Sequence, residues 1–178
     1  MTEVLEKYTY EDYALWEGDW ELVDGVPQAM SPSPMREHQL VVNLICFELT
    51  EDTKECEECD VVSELDYIID DENVLRPDVA LICGEENDFI TKAPKVIVEV
   101  LSPSTAKRDE KTKFHIYEQE GVLYYIIVNP KTLVAKVYKL KDAKYQKVGD
   151  FSKEKIALDE LECPVDIDFT NIFKRFRK

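Results

Sequence analysis

Two acids set inside apolar runs, and a lysine a short way beyond them, are the residues of this chain best placed to do chemistry. Residues 76–117 read RPDVALI, a polar turn, KVIVEVLSPST and then KRDEKTKFHIY, which carries Asp78, Glu99 and Lys113. A buried strand is a near-continuous run of Val, Ile and Leu. An acid inside such a run is costly unless it is paired, protonated or bound to a metal. If the two strands are neighbours, both carboxylates can meet at one end of the sheet. Oxygen ligands of this kind, in a chain with only 2 histidines, favour Mg²⁺ or Mn²⁺ over zinc. Such an ion lowers the pKa of a bound water and neutralises charge in a phosphoryl transition state. A nearby lysine stabilises developing negative charge or orients the water. The pattern therefore suits metal-dependent hydrolysis of phosphodiesters. The residues alone leave other arrangements open: Asp78 accepting from a turn or pairing with Arg76, and Glu99 facing solvent at a strand edge.

The elements that must hold these groups follow from pattern. Residues 8–17 predict a short amphipathic helix capped by Thr9. Asp24-Gly25 joins two short strands in WELVDGVPQAM, a hairpin signal. Strict alternation in the first of these strands points Glu21 to solvent. Residues 36–54 form a helix with a broad apolar face, and His38 in its first turn reads locally as a surface or capping residue. Residues 60–70 alternate as one half-buried strand. VLRPDVALIC is a further strand with Pro77 near its start, and KVIVEVLS is the expected central strand. A helix over 106–120 places Asp109, Lys113 and Tyr117 on one side and stops at Gly121. Lys111, about 200° away around that helix, faces elsewhere. VLYYIIVNP is a buried strand, and LVAKVYKL pairs with AKYQKVGDF through a turn at Asp142-Ala143. KIALDEL is a short strand or turn, and DFTNIFKRF is a C-terminal helix. Ser102 and Ser104 read as a strand exit and helix cap, since no histidine base accompanies them.

Composition narrows the partners. The chain has 178 residues, 44% hydrophobic and 34% charged, which is consistent with one domain over 1–178 that has a proper core. No apolar run reaches membrane-spanning length and the N-terminal residues lack a signal-peptide pattern, so a soluble, cytoplasmic protein with no membrane association is expected. The formal charge is −16, which argues against broad coating of DNA. It leaves room for a small basic cleft or for contact through metal ions; lysines concentrate in residues 92–113 and 131–155. The chain has 5 cysteines: Cys46, Cys56, Cys59, Cys83 and Cys163. Reduced thiols are the default, and the lone C-x-x-C of Cys56 and Cys59 reads as a polar turn lacking two further zinc ligands.

ELVDG at residues 21–25, SPSPMREHQ, RPDVAL, VIVEVLSPST, RDEKTKFHIYEQEGVLYYIIVNP and DFTNIF together resemble the PD-(D/E)xK nuclease superfamily. More closely, they resemble the Uma-type family of restriction-endonuclease-like proteins, a domain of unknown function. The resemblance implies an α/β fold with a restriction-endonuclease-like core, a mixed β-sheet flanked by helices. Asp78 matches the PD aspartate and Glu99 the second metal-binding acid. The position two residues after Glu99 is Leu101 rather than lysine, and the family pattern moves that role to Lys113 on the next helix. Glu21 is promoted to a metal ligand and His38 to a further member of the catalytic set. The implied activity is that of a Mg²⁺- or Mn²⁺-dependent endonuclease, a hydrolase acting on DNA. The alternative is a non-catalytic nucleic-acid-associated or protein-interaction module that keeps the fold. By analogy, a homodimer fits an enzyme that cuts two strands with two sites.

Overall fold

The structure, a computed structural model, describes residues 6–30, 35–103, 106 and 109–177. Its frame is a six-stranded mixed sheet in the order β10-β9-β8-β7-β6-β3. The strands are β3 (Cys59–Val62), β6 (Val79–Cys83), β7 (Val96–Val100), β8 (Tyr124–Asn129), β9 (Val134–Lys141) and β10 (Lys144–Phe151). The pair β7 and β8 is parallel and the others are antiparallel. All five residues of β7 are buried, so the run expected to be central is central, and the acid it carries is enclosed.

A second sheet, in the order β2-β1-β5-β4, is made of β1 (Trp20–Val23), β2 (Val26–Ala29), β4 (Tyr67–Asp70) and β5 (Asn73–Leu75). The β1–β2 pairing closes Val23 against Val26, and both turn residues are left-handed, Asp24 at φ 50° and Gly25 at φ 72°. That is the two-residue turn whose twist matches the strands it joins. Asp142 and Ala143 turn β9 into β10 the same way, at φ 51° and 58°.

Two expected strands are each divided. Residues 60–70 do not run as one strand: β3 lies in the large sheet and β4 in the small one, separated by a bend in which Glu64 has φ 52°. Likewise 74–83 splits at Pro77 into β5 and β6, since proline offers no N–H to continue a ladder. The chain thus changes sheet twice, and the small sheet is laid against the large one. The segment KIALDEL does form β11 (Lys155–Leu158), paired with β12 (Val165–Asp168).

The helices divide between the two faces. Helix α2 (Arg36–Thr53) and α4 (Phe169–Lys174) cover one face of the large sheet, where Val41, Ile45 and Leu49 pack with Val79, Val96, Val98, Phe169 and Phe173. On the other face a π-helical turn, Asp109–Lys113, leads into α3 (Phe114–Glu120). There Tyr117 packs with Ile97, Tyr125 and Ile127. Gly121 ends α3 in the left-handed conformation at φ 82°. Glu118 anchors the helix to β10 by accepting from Lys144 Nζ and the Tyr145 N–H. Those two bonds, first to Lys144 and then to the backbone, hold its carboxyl below the usual carboxylate range. Helix α1 (Tyr10–Tyr13) is short, and the Asp12 carboxylate accepts from both the N–H and the hydroxyl of Thr9. The cap of the 106–120 helix expected near Ser104 and Thr105 lies outside the described residues. Among them, no helix is long and apolar enough to cross a membrane.

Candidate active site

Register places the first two acids. Strands β6 and β7 pair Val79 with Val98, and one further residue along this antiparallel ladder sets Asp78 opposite Glu99. Opposed residues of an antiparallel pair share a face. The two carboxylates therefore stand together at one end of the large sheet, on the face covered by α3. The Asp78 Oδ2 atom accepts from the Val100 N–H at 2.6 Å and so is fixed to the strand that carries Glu99. The alternative partner, Arg76, turns away from it: its guanidinium bonds Asp66 and Asp19.

Lys113 supplies the cation. Its Nζ lies 2.8 Å from Glu99 Oε1 and 2.8 Å from Glu21 Oε1, with the lysine and glutamate side chains at most 3% exposed. The Tyr117 hydroxyl donates to the same Glu99 oxygen at 3.0 Å. Lys113 is the last residue of the π-helical turn and Tyr117 lies one α-helical turn on, so both reach Glu99 from one helix face. Wider π turns recur at functional sites because they re-aim a side chain. Burial, and next the Glu99 charge, push the Tyr117 phenol well above its ordinary pKa, so it remains a neutral donor. Lys111 is exposed, as its angular position requires.

The local readings of Glu21 and His38 are corrected. Glu21 is fully buried because β1 is covered on both faces: Leu22 packs with Tyr13 and Val74, while Val23 joins the apolar cluster that contains Tyr117. Alternation along β1 therefore chooses between two interiors rather than between core and water. Glu21 Oε1 also accepts from the Arg76 N–H at 2.9 Å, a partner that no sequence signal announces. His38 is buried at 8% exposure, with its Nε2 3.2 Å from Asp78 Oδ2. The start of α2 thus closes the same sheet end from the other side.

The five residues form two linked parts. Glu21, Glu99 and Lys113 are sealed, whereas the Asp78 and His38 side chains keep 15% and 10% of their surface. Three carboxylates against one ammonium leave a net negative charge, and hard oxygen donors of this set fit a divalent cation of the Mg²⁺ type. Beside them, on the same face as Glu99, a cavity of about 300 Å³ is lined by Leu101, Ile127, Asn129, Thr132, Val134, Lys136 and Asp150.

The profile of the Uma2 family, described as "Putative restriction endonuclease", matches residues 10–170. The chain belongs to the Uma2 family. The matched span includes all five candidate residues, Glu21, His38, Asp78, Glu99 and Lys113. A DUF820 protein of Anabaena variabilis ATCC 29413, whose crystal structure is described as that of a putative nuclease, shares this Uma2 fold. The two superpose with a TM-score of 0.75 over 93% of this chain and 97% of the other, at 14% identity. An uncharacterised protein of Synechocystis sp., slr1290, is 34% identical over 80 residues, a match spanning 42% of this Uma2 chain and 42% of that protein. The mixed α/β architecture read from the pattern of elements, and the restriction-endonuclease-like core that the family resemblance implied, are the ones observed.

Proposed function

We propose that this chain is a divalent-metal-dependent endonuclease that hydrolyses phosphodiester bonds of nucleic acid, with DNA as the substrate. The observation that carries the reading is Lys113 Nζ set 2.8 Å from both Glu21 and Glu99, on the sheet end where register brings Asp78 to Glu99. An isolated buried lysine or glutamate is costly. Here each is retained with a partner, in a family described by its nuclease character.

In this reading Asp78, Glu99 and Glu21 hold Mg²⁺ or Mn²⁺. When bound, the ion supplies an activated water and neutralises charge on the phosphoryl oxygens. Asp78, the most exposed of the three acids, faces the substrate side. Glu99 is held in one rotamer by Lys113 and Tyr117, which keeps its carboxylate aimed along the strand end. The Lys113 ammonium lies in a dry surrounding where its charge acts strongly on a developing phosphorane, and it orients the attacking water. Glu21 holds Lys113 in place. His38 fixes the Asp78 carboxylate, and an Nε2–H on the imidazole makes it the donor. The adjoining cavity offers Asn129, Thr132 and Lys136 to the sugar-phosphate backbone, a local contact compatible with a net acidic chain.

The test is cleavage of single-stranded, duplex and branched DNA, and of RNA, with Mg²⁺ or Mn²⁺ and with the metal chelated. Metal-dependent products from the wild type, absent for Asp78→Ala, Glu99→Ala and Lys113→Ala, establish the activity. Products unchanged in those variants, or none from any substrate, reject it. The −16 charge favours a second reading, a module that keeps the fold but binds a protein partner without cleavage. That module would show no metal-dependent products. Whether the chain forms a homodimer is read from its sedimentation with and without duplex, and whether both strands are cut from the products of labelled duplex.

A further inference from the structure

At the far end of β6 the structure gathers four of the five cysteines. Cys56 follows the end of α2, Cys59 opens β3, Cys83 closes β6 and Cys163 lies just before β12. Cys59 and Cys83 face each other in register, and their sulfurs are in bonding contact, as are those of Cys56 and Cys163. The two pairs are not separate. The sulfurs of Cys56, Cys59 and Cys163 all lie within 4.8 Å of one another, and Cys83 adjoins through Cys59. The C-x-x-C that reads as a polar turn therefore meets two remote cysteines, Cys163 within the compact group of three sulfurs and Cys83 beside Cys59.

We propose that, with its thiols reduced, this cluster binds one structural zinc ion as a tetrahedral four-cysteine site. Three features favour a metal over two independent crosslinks. Two disulfides have no need to touch, whereas ligands of one ion must converge. Cys56 and Cys59 are spaced as a zinc knuckle, yet each faces a distant cysteine instead of the other, the arrangement of a knuckle completed by two remote ligands. Cys59 and Cys163 are 5% and 4% exposed and Cys56 and Cys83 are half-buried, and four thiolates fill every position of a structural zinc site, leaving none open. Zinc–sulfur bonds of about 2.3 Å set ligand sulfurs roughly 3.8 Å apart, a separation within the span of the Cys56, Cys59 and Cys163 sulfurs, and Cys83, in contact with Cys59, is the fourth sulfur at hand.

The ion ties together the end of α2, the edge strand β3, β6 and the approach to β12, segments separated by up to 107 residues in sequence. Its role is architectural. Cys83 lies five residues from Asp78 along an extended strand, about 17 Å, so the cluster is distinct from the carboxylate site while bracing the same strand. Zinc binding at such a site is part of the folding free energy.

The full chain, purified under reducing conditions without chelator, is analysed for zinc by elemental analysis and native mass spectrometry. Cobalt is then exchanged into the wild type. The expected result is one zinc per chain, a cobalt spectrum with thiolate charge transfer and tetrahedral d–d bands, and alkylation of four cysteines only after chelation. Cys46→Ser and Glu99→Ala retain the zinc, and the double variant Cys56→Ser/Cys59→Ser loses it. A zinc-free wild type with all thiols reactive, or a zinc-free chain whose mass shows two disulfides, overturns the proposal. Because metal content and the cobalt spectrum are read on the wild type, a variant that fails to fold does not blunt the test.

Discussion

Lys113 Nζ donates to Glu99 Oε1 at 2.8 Å from within an interior where neither side chain is more than 3% exposed. Glu99 comes from a central strand and Lys113 from the helix that follows it, so one β-to-α connection builds the pair. The same ammonium holds Glu21, which arrives from a different sheet. The ion pair is thus a junction between the large sheet, the small sheet and the helix, as well as a set of chemical groups.

Removing the ammonium strands two carboxylates in that interior. Lys113→Met should lower stability by about 3–5 kcal/mol and reduce cleavage by at least about 10²-fold. Adding Glu21→Gln and Glu99→Gln to it should restore most of the stability and none of the activity. Urea denaturation of the single and triple variants, beside a cleavage assay, checks both halves. Equal instability in the two would show that the buried charges are not the cause.

If Asp78 holds the metal as proposed, His38, 3.2 Å from its carboxylate, acts through it, and loss of the histidine should weaken metal binding before anything else. His38→Ala is expected to lower Mn²⁺ affinity by about 10–100-fold, with His38→Gln losing less because its amide can still donate to Asp78. Titration calorimetry on the three proteins measures this. Unchanged affinity in His38→Ala would leave the histidine a packing residue.

The hairpin that presents Glu21 depends on Gly25. At φ 72° a Cβ there would lie 3.2 Å from Lys7 Cβ and 3.2 Å from the Tyr8 carbonyl oxygen, whereas one on Gly121 would meet nothing within 4 Å. Both alanine variants carry left-handed strain of about 1–2 kcal/mol. Gly25→Ala should therefore cost more than Gly121→Ala, and a chain of this length shifts roughly 2–4 °C in Tm per kcal/mol. Calorimetric melting of the pair decides the order, and Gly25→Ala should also lose activity as Glu21 is displaced.

Tyr117 gives the fold an alkaline limit. Its folded pKa lies well above the ordinary 10.0, so below pH 10 both folded and unfolded chains hold the proton. As pH rises beyond 10 the unfolded chain loses it first, and folding stability falls by about 1.4 kcal/mol per pH unit from this group. Urea midpoints from pH 8 to 11 should fall more steeply in the wild type than in Tyr117→Phe. Parallel curves would mean that the phenol is not held neutral by the fold.

What could be read from the sequence was what local chemistry determines. The turn at Asp24-Gly25, the β-branched run around Glu99, the Gly121 stop and the position of Lys113 on its helix each depend on a few neighbouring residues. Glu21 was legible as a candidate site member only through its family resemblance, because its burial requires β1 to be covered on both faces. His38 is enclosed by a carboxylate forty positions later, and no helix pattern announces that. The bend at Glu64 contains neither glycine nor proline, so one continuous alternation concealed a change of sheet. The cysteine cluster was hidden for the same reason: its halves meet only after α2, β3, β6 and the C-terminal hairpin have packed.

The most direct test of the account is calorimetric titration of Mg²⁺ and Mn²⁺ into the wild type and Glu99→Ala, each shown to be folded beforehand. The account predicts one saturable carboxylate-dependent binding event in the wild type, lost in Glu99→Ala, with metal-dependent cleavage disappearing in step. A folded wild type that binds neither ion would contradict it, and would leave Asp78, Glu99 and Lys113 as a buried structural pairing.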